Sequence, residues 1–138
     1  RAEGALDIQL EVWLESAQRR AACIGATRLT HTSFKHQYWT VSQMVAHHTV
    51  NGCNLASGDL LGSGTLSGPQ LEQGGSLMEL SQGGKRTLQL DNGESRTWLQ
   101  DGDTIILRGG CRRDGFRRIG FGECRGTVLP AHAPTAAG

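Results

Sequence analysis

The chain has 138 residues, a formal net charge of +1 and 37% hydrophobic residues. This length suits one domain with a real hydrophobic core, and the near-neutral charge argues against the strong field typical of proteins that bind nucleic acid or anionic membranes. Twenty glycines and only three prolines favour a turn-rich β protein over a disordered tract.

Cysteine usage and the lack of targeting patterns favour a cytoplasmic protein. No run is apolar enough to span a bilayer, and we expect no signal peptide. The four cysteines are widely spaced, at Cys23, Cys53, Cys111 and Cys124. They form no CxxC pair, so a structural zinc site is not expected. An even count permits disulfides, but we favour free, partly buried thiols with packing roles.

The first stretch has the pattern of a strand. Apolar side chains occupy every second position across residues 6–14, which is typical of a strand with one buried face. Residues 15–20 include three charged side chains and are predicted to form a turn, and residues 21–29 a second strand. Because the chain opens on Arg1, so close to a core strand, we expect it to be part of a longer polypeptide.

One amphipathic helix is predicted after residue 40. Thr40 and Gln43 have the spacing of a capping box, and Asn51-Gly52 supplies a stop. Apolar residues recur at helical spacing as far as His48. His47 and His48 are adjacent, so they point in different directions and cannot chelate one metal as an i, i+4 pair does. We interpret His48 as a core residue and His47 as nearer solvent.

The central segment, residues 47–81, is predicted to contain a helix end, a short strand, a glycine-rich loop and a second strand. Glycine lets backbone approach a ligand closely, and Thr65 offers a hydroxyl at the mouth of the loop. Glu79 lies between Met78 and Leu80, where a charge is costly without a partner. From the residues alone, a solvent-facing strand position is an equally good interpretation of Glu79.

The second half of the chain has the pattern of a β meander. Asn92-Gly93 is a strong hairpin signal. The predicted strands are residues 86–90, 95–99, 104–108, 119–121 and 123–128. Residues 130–138 are predicted to be a frayed tail.

These residues do not by themselves identify a reaction. The chain has no Ser/His/Asp pattern, no phosphate loop and no metal-ligand cluster. Gly62-Ser63-Gly64 lacks the GxSxG spacing of a nucleophile elbow and a following helix, so we interpret Ser63 as a turn residue.

Several motifs closely resemble the fumarylacetoacetate hydrolase family. The wider superfamily shares Gly-Asp-x-x-x-x-Gly-Thr, seen here at residues 58–65, and the longer central run is more specific. The matching segments are Tyr38-Trp39-Thr40, residues 47–55, residues 58–61, Ser63-Gly64-Thr65, Ser67-Gly68-Pro69, Ser76-Leu77, residues 79–81, Leu99, residues 101–103, Asp114-Gly115, residues 119–122, Cys124 and residues 126–131.

The resemblance implies hydrolysis of a carbon–carbon bond in 4-fumarylacetoacetate, giving fumarate and acetoacetate in tyrosine and phenylalanine catabolism. It implies a divalent metal, Mg or Ca, on the diketone oxygens, a histidine that activates water, and a carboxylate that orients the histidine. Glu79 matches that carboxylate, and Thr65 matches a threonine that contacts a substrate carboxylate.

The resemblance also has departures. The family's metal ligands, catalytic histidine and oxyanion-stabilising arginine and lysine precede the matching region, so the resemblance places none of them in this chain. His47 and His48 match a different, helical pair, and Ala56-Ser57 replaces the usual Arg-Pro. Residues 1–138 therefore resemble the C-terminal portion of the catalytic domain, and we expect this portion alone to be inactive.

The family fold implies a mainly β chain that supplies part of a mixed β-sandwich roll with one amphipathic helix. The family also implies a homodimer, a small diketo acid as substrate, and no nucleic-acid or membrane partner. Missing strands are expected to leave open sheet edges and exposed apolar faces. Two alternatives stay open: a superfamily member that acts on a different oxo-acid, and a non-catalytic assembly module.

Overall fold

The computed structural model describes residues 6–132 and is mainly β, as predicted. The elements are β1 (Gln9–Glu15), α1 (Ala17–Ala21), β2 (Thr27–Ser33), a 3-10 turn (Phe34–His36), α2 (Val41–Val50), a second 3-10 turn (Leu71–Gln73), α3 (Leu77–Leu80), β3 (Leu88–Gln89), β4 (Ser95–Arg96), β5 (Thr104–Cys111) and β6 (Ile119–Thr127). The longer strands form one antiparallel sheet in the order β2-β1-β5-β6, and β3 pairs with β4. The predicted tail is described only as far as residue 132.

The core lies on the two central strands. Leu14 on β1 and Ile106 on β5 are 0% and 1% exposed. The β1–β5 register pairs Leu14 with Ile105 and Trp13 with Ile106, so Leu14 and Ile106 lie on neighbouring strands and are buried on opposite faces of the sheet. Leu80 and Leu90 complete the buried apolar set of the described residues. The alternating pattern of the first strand therefore predicts the core position of Leu14 correctly.

A buried polar network joins the β3–β4 hairpin to the sheet. Arg96 on β4 donates through Nε to Asp103 Oδ2 at 2.8 Å and through Nη2 to Asp103 Oδ1 at 2.9 Å. Arg96 also donates to Glu94 Oε1 at 3.0 Å, and the Ser16 hydroxyl donates to Glu94 Oε2. The hydrogen bond from Ser16, followed by that from Asn92, holds the pKa of Glu94 below its ordinary value. The network fixes the hairpin to the start of α1 and the start of β5.

The predicted turn at residues 15–20 is wrong, because this segment enters α1. Ser16 is the N-cap, and its hydroxyl accepts a hydrogen bond from the Arg19 amide at 3.0 Å. The helix occupies part of the predicted second strand. Cys23 and Gly25 then take positive φ angles of 55° and 73°, so the chain turns before β2 begins at Thr27.

Helix α2 is confirmed, with its predicted cap. Thr40 Oγ1 accepts from the Gln43 amide at 3.2 Å, and Gln43 Oε1 accepts from the Thr40 amide at 2.9 Å. The prediction that His48 is a core residue is wrong, because α2 buries none of its side chains and both His47 and His48 are exposed. The short strand predicted between the end of this helix and the glycine-rich loop is also absent, and residues 53–55 lie in that interval. These residues are exposed and pair with no strand of the described chain.

The cysteines are free, as predicted, but their predicted packing role is largely wrong. Cys23, Cys53 and Cys124 are exposed, and only Cys111 is half-buried. Strand β6, which carries Cys124, is one of the two edge strands of the sheet and is exposed along its whole length. Phe121 on this strand is 62% exposed. The edge strand thus presents unpaired backbone and apolar side chains to solvent.

Candidate functional site

The glycine-rich loop begins with a turn closed by Asp59. Its carboxylate accepts a hydrogen bond from the Ala56 amide at 2.8 Å, and its own amide donates to the Ala56 carbonyl at 3.2 Å. Gly58 has a φ of 96° within this turn, a conformation that glycine adopts without steric cost. Asp59 is therefore engaged in shaping the loop.

The far end of the loop is attached to the sheet. The Thr30 hydroxyl of β2 donates to the carbonyl of Glu72, within the second 3-10 turn, at 2.9 Å. Gly68 donates from its amide to the Gln73 carbonyl at 2.9 Å, so the loop is closed on itself. Leu80, which is 4% exposed, buries one side of α3. These contacts hold residues 65–80 in one local unit beside β2.

Gly75 lies at the centre of this unit. A methyl group at its α-carbon would lie 2.5 Å from the Leu66 carbonyl oxygen and 2.6 Å from Thr65 Cγ2. Both distances are below the closest approach of real Cβ atoms, so the position requires glycine. The chain around Gly75 thus packs directly against the backbone that carries Thr65.

Glu79 is held by two donors on one of its two carboxylate oxygens. Glu79 Oε2 accepts from the Ser67 hydroxyl at 2.5 Å and from the Gly75 amide at 2.9 Å. Glu79 Oε1 accepts no hydrogen bond from residues 6–132. The side chain is exposed, so its free oxygen is open to a donor from outside this unit.

The prediction that Glu79 lies on a strand is wrong. The residue lies in α3, a single helical turn capped by Ser76, whose hydroxyl accepts from the Glu79 amide at 3.2 Å. The sequence contains a signal for this turn, because Ser76 and Glu79 have the Ser-x-x-Glu spacing of a capping box. In a capping box the Glu side chain accepts a hydrogen bond from the amide of the N-cap residue. Here the Glu79 carboxylate accepts from the amide of Gly75, the residue before the cap.

The structure brings both predicted site residues to Gly75. The Thr65 side chain is exposed, its methyl group packs on Gly75, and its hydroxyl makes no hydrogen bond within the described chain. The Glu79 carboxylate accepts a hydrogen bond from the Gly75 amide. Sequence reasoning singled out neither Gly75 nor Ser67 as part of this site, since both act through contacts across several residues of the loop.

The described residues do not supply the remaining parts of a metal-dependent site. Across residues 6–132, no three His, Cys, Asp or Glu side chains are grouped so as to hold a metal ion. No histidine of this part of the chain bonds to Glu79. Within the same range, no helix combines the length and apolar character needed to cross a membrane.

Comparison with known proteins identifies relatives along most of the chain. Residues 3–129 match the family described as fumarylacetoacetate (FAA) hydrolase C-terminal. The chain is 52% identical over 110 residues to the fumarylacetoacetase of Homo sapiens, an alignment that covers 80% of this chain and 26% of the human protein. It is 46% identical over 125 residues to the fumarylacetoacetase of Arabidopsis thaliana, covering 91% of this chain and 28% of that protein.

The fumarylacetoacetase of Caenorhabditis elegans is 58% identical to the chain over 100 residues, which make up 72% of this chain and 23% of that protein. The chain therefore spans about a quarter of the length of the curated relatives it matches.

Proposed function

The chain belongs to the fumarylacetoacetate hydrolase C-terminal family, and from this premise we propose that it is the C-terminal part of a fumarylacetoacetase. The proposed reaction is hydrolysis of the carbon–carbon bond of 4-fumarylacetoacetate, which yields fumarate and acetoacetate. The names of the relatives in human, plant and nematode support this substrate. A homodimeric, cytoplasmic enzyme is part of the same proposal.

The observation that carries the proposal is the shared location of Thr65 and Glu79. These two positions match family residues with roles toward substrate and catalytic histidine. In the structure both contact Gly75, one through a methyl group and the other through a hydrogen bond.

In the proposed mechanism Glu79 acts on a histidine outside the described residues. Its open Oε1 accepts the N–H of the imidazole, so the other ring nitrogen is left unprotonated and can take a proton from water. The carboxylate then stabilises the imidazolium that forms. Thr65 donates its hydroxyl to a carboxylate of the bound substrate.

The family implies a divalent cation, and we propose Mg or Ca for the complete enzyme. The described residues do not fit this role, since they contain no grouped set of metal ligands. The ligands are proposed to come from a part of the protein that precedes the matching region. No step assigned to Thr65 or Glu79 passes through the metal.

The test compares residues 1–138 with the full-length protein of which we propose they are part. Release of fumarate and acetoacetate from 4-fumarylacetoacetate is measured by chromatography, with and without a chelator. We expect metal-dependent turnover by the full-length protein and none by residues 1–138. Robust turnover by residues 1–138 would contradict the partial site, and an inactive but folded full-length protein would contradict the proposed substrate.

A further inference from the structure

The hydroxyl of Ser67 has a contact that the proposed function does not use. Ser67 Oγ lies 2.5 Å from Glu79 Oε2 and 3.2 Å from the Gly75 amide nitrogen. The Gly75 amide also donates to Glu79 Oε2 at 2.9 Å. The three groups therefore form a closed triangle, in which one N–H is shared between two oxygens.

The chemistry of the three groups determines which one donates in each hydrogen bond. The backbone amide of Gly75 is a donor only, and an ionised carboxylate is an acceptor only. Because Ser67 Oγ accepts from Gly75, the single hydroxyl hydrogen is free to point to Glu79. The bond from Ser67 to Glu79 is thus charge-assisted, a class that is shorter and stronger than neutral hydrogen bonds.

This bond controls the orientation of the Glu79 carboxylate. The terminal torsion of a glutamate is broad, so one hydrogen bond leaves the carboxylate plane loosely defined. Two donors on Oε2 from different directions define where Oε1 points. Ser67 is half-buried and directly follows Thr65 and Leu66, whose atoms pack against Gly75.

We propose that Ser67 is a positioning residue, whose hydroxyl holds Glu79 Oε2 so that Oε1 is presented to the catalytic imidazole. This inference rests on the proposed function, because it assigns Ser67 a role through Glu79. Ser67 touches neither substrate nor metal in this account. Its loss is therefore expected to lower kcat while leaving KM almost unchanged.

The experiment is a double-mutant cycle in the full-length enzyme with Ser67→Ala, Glu79→Gln and the double variant. Ser67→Ala is expected to lower kcat by about 10- to 100-fold, in line with loss of a hydrogen bond to a charged group. Ser67→Thr retains the hydroxyl and is expected to restore most of the rate. The double variant is expected to be no slower than Glu79→Gln alone, since Ser67 acts only through that carboxylate.

Ser63→Ala is the matched control. Ser63 lies in the same loop, and among residues 6–132 its hydroxyl bonds only to the neighbouring Gly64 carbonyl at 3.3 Å, so this variant is expected to have normal kcat. If thermal melts show that Ser67→Ala destabilises the enzyme, Ser67→Cys, which keeps the volume and only a weak donor, takes its place in the cycle.

The possible outcomes distinguish the role of Ser67 from the role of Glu79. Normal kcat in Ser67→Ala, or losses that multiply in the double variant, would overturn the positioning role while leaving the role of Glu79 intact. Normal kcat in Glu79→Gln would overturn the role of Glu79, and the inference about Ser67 with it, while leaving the proposed reaction intact. No turnover by the folded, unsubstituted full-length protein would overturn the proposed reaction.

Discussion

The amide of Gly75 donates to Glu79 Oε2 at 2.9 Å, while the α-carbon of the same residue packs on Thr65. One glycine thus links the carboxylate of α3 to the hydroxyl of the glycine-rich loop. The side chains of the two residues that match family site positions are thereby both in contact with the backbone of Gly75. Rigid support of this kind is what a functional site requires of its surroundings.

Replacing Gly75 with alanine is expected to disturb both site residues at once. The new methyl group would lie 2.5 Å from the Leu66 carbonyl oxygen, a backbone atom that cannot move without the loop. Overpacking of this type costs about 1–3 kcal/mol of folding free energy. In the full-length enzyme we expect a lower melting temperature, a raised KM and a lowered kcat, measured by thermal melts and steady-state kinetics.

Gly62→Ala is the control for this prediction. Gly62 lies in the same loop, has no atom within 4 Å of an added Cβ and does not adopt a positive φ. Its replacement is expected to change neither stability nor kinetics appreciably. Equal effects of the two alanine variants would show that the loop responds to any added side chain, and that close approach at Gly75 is not the cause.

Replacing Thr65 with valine is expected to weaken substrate binding. Valine retains the shape, and hence the methyl contact on Gly75, but lacks the exposed hydroxyl. Loss of a hydrogen bond to a charged substrate group should cost roughly 1–3 kcal/mol of binding free energy. The change should fall mainly on KM, measured with 4-fumarylacetoacetate. An unaltered KM would mean that Thr65 only shapes the loop.

The buried network at Glu94 predicts a loss of stability in acid. Hydrogen bonds from Ser16 and Asn92 lower the pKa of Glu94 below its ordinary value of 4.5. A lowered folded-state pKa stabilises the folded protein above the unfolded-state pKa, and this contribution is lost as the pH falls through the folded-state pKa. We therefore expect the melting temperature to decline as the pH is lowered below about 4.5, partly because Glu94 becomes protonated.

Glu94→Gln isolates this contribution. The amide does not titrate, so the variant is expected to be less stable at neutral pH and to lose less stability on acidification than the parent protein. Glu72→Gln is the control, because the Glu72 side chain makes no hydrogen bond or ion pair with the described residues. A parallel acid decline in Glu94→Gln and the parent protein would assign the pH dependence to other carboxylates.

Local signals in the sequence predict several elements well. The capping box of Thr40 and Gln43 defines the start of α2, and Asn92-Gly93 marks the β3–β4 hairpin. The alternation in the first strand identifies Leu14 as a core residue. Each of these signals depends on a few neighbouring residues, so it is readable without knowledge of the fold.

Two predictions are wrong for different reasons, at Glu79 and at His48. Met78-Glu79-Leu80 reads as strand alternation, but the Ser76 cap and the single turn of α3 prevail. A helix of four residues is too short to display helical periodicity. His48 has helical apolar spacing, yet α2 buries none of its residues, because burial depends on what packs against the helix.

The contacts that define the candidate site could not be predicted from the sequence, because they join residues that are well separated along the chain. The Ser67 to Glu79 bond spans 12 residues, and the approach of Thr65 to Gly75 spans a closed loop. Neither contact follows from residue type or spacing. The resemblance to the family supplied Thr65 and Glu79, and the structure added the residues that hold them.

The most direct test of the account is Glu79→Gln in the full-length enzyme, followed by steady-state kinetics and a thermal melt. The substitution preserves volume but replaces an acceptor-only carboxylate with an amide, so the histidine can adopt the wrong tautomer and its cation loses a counter-charge. We expect kcat to fall by about 10²- to 10⁴-fold, the usual size of a general-base contribution, with an unchanged melt. Near-normal kcat with an intact melt would contradict the role assigned to Glu79.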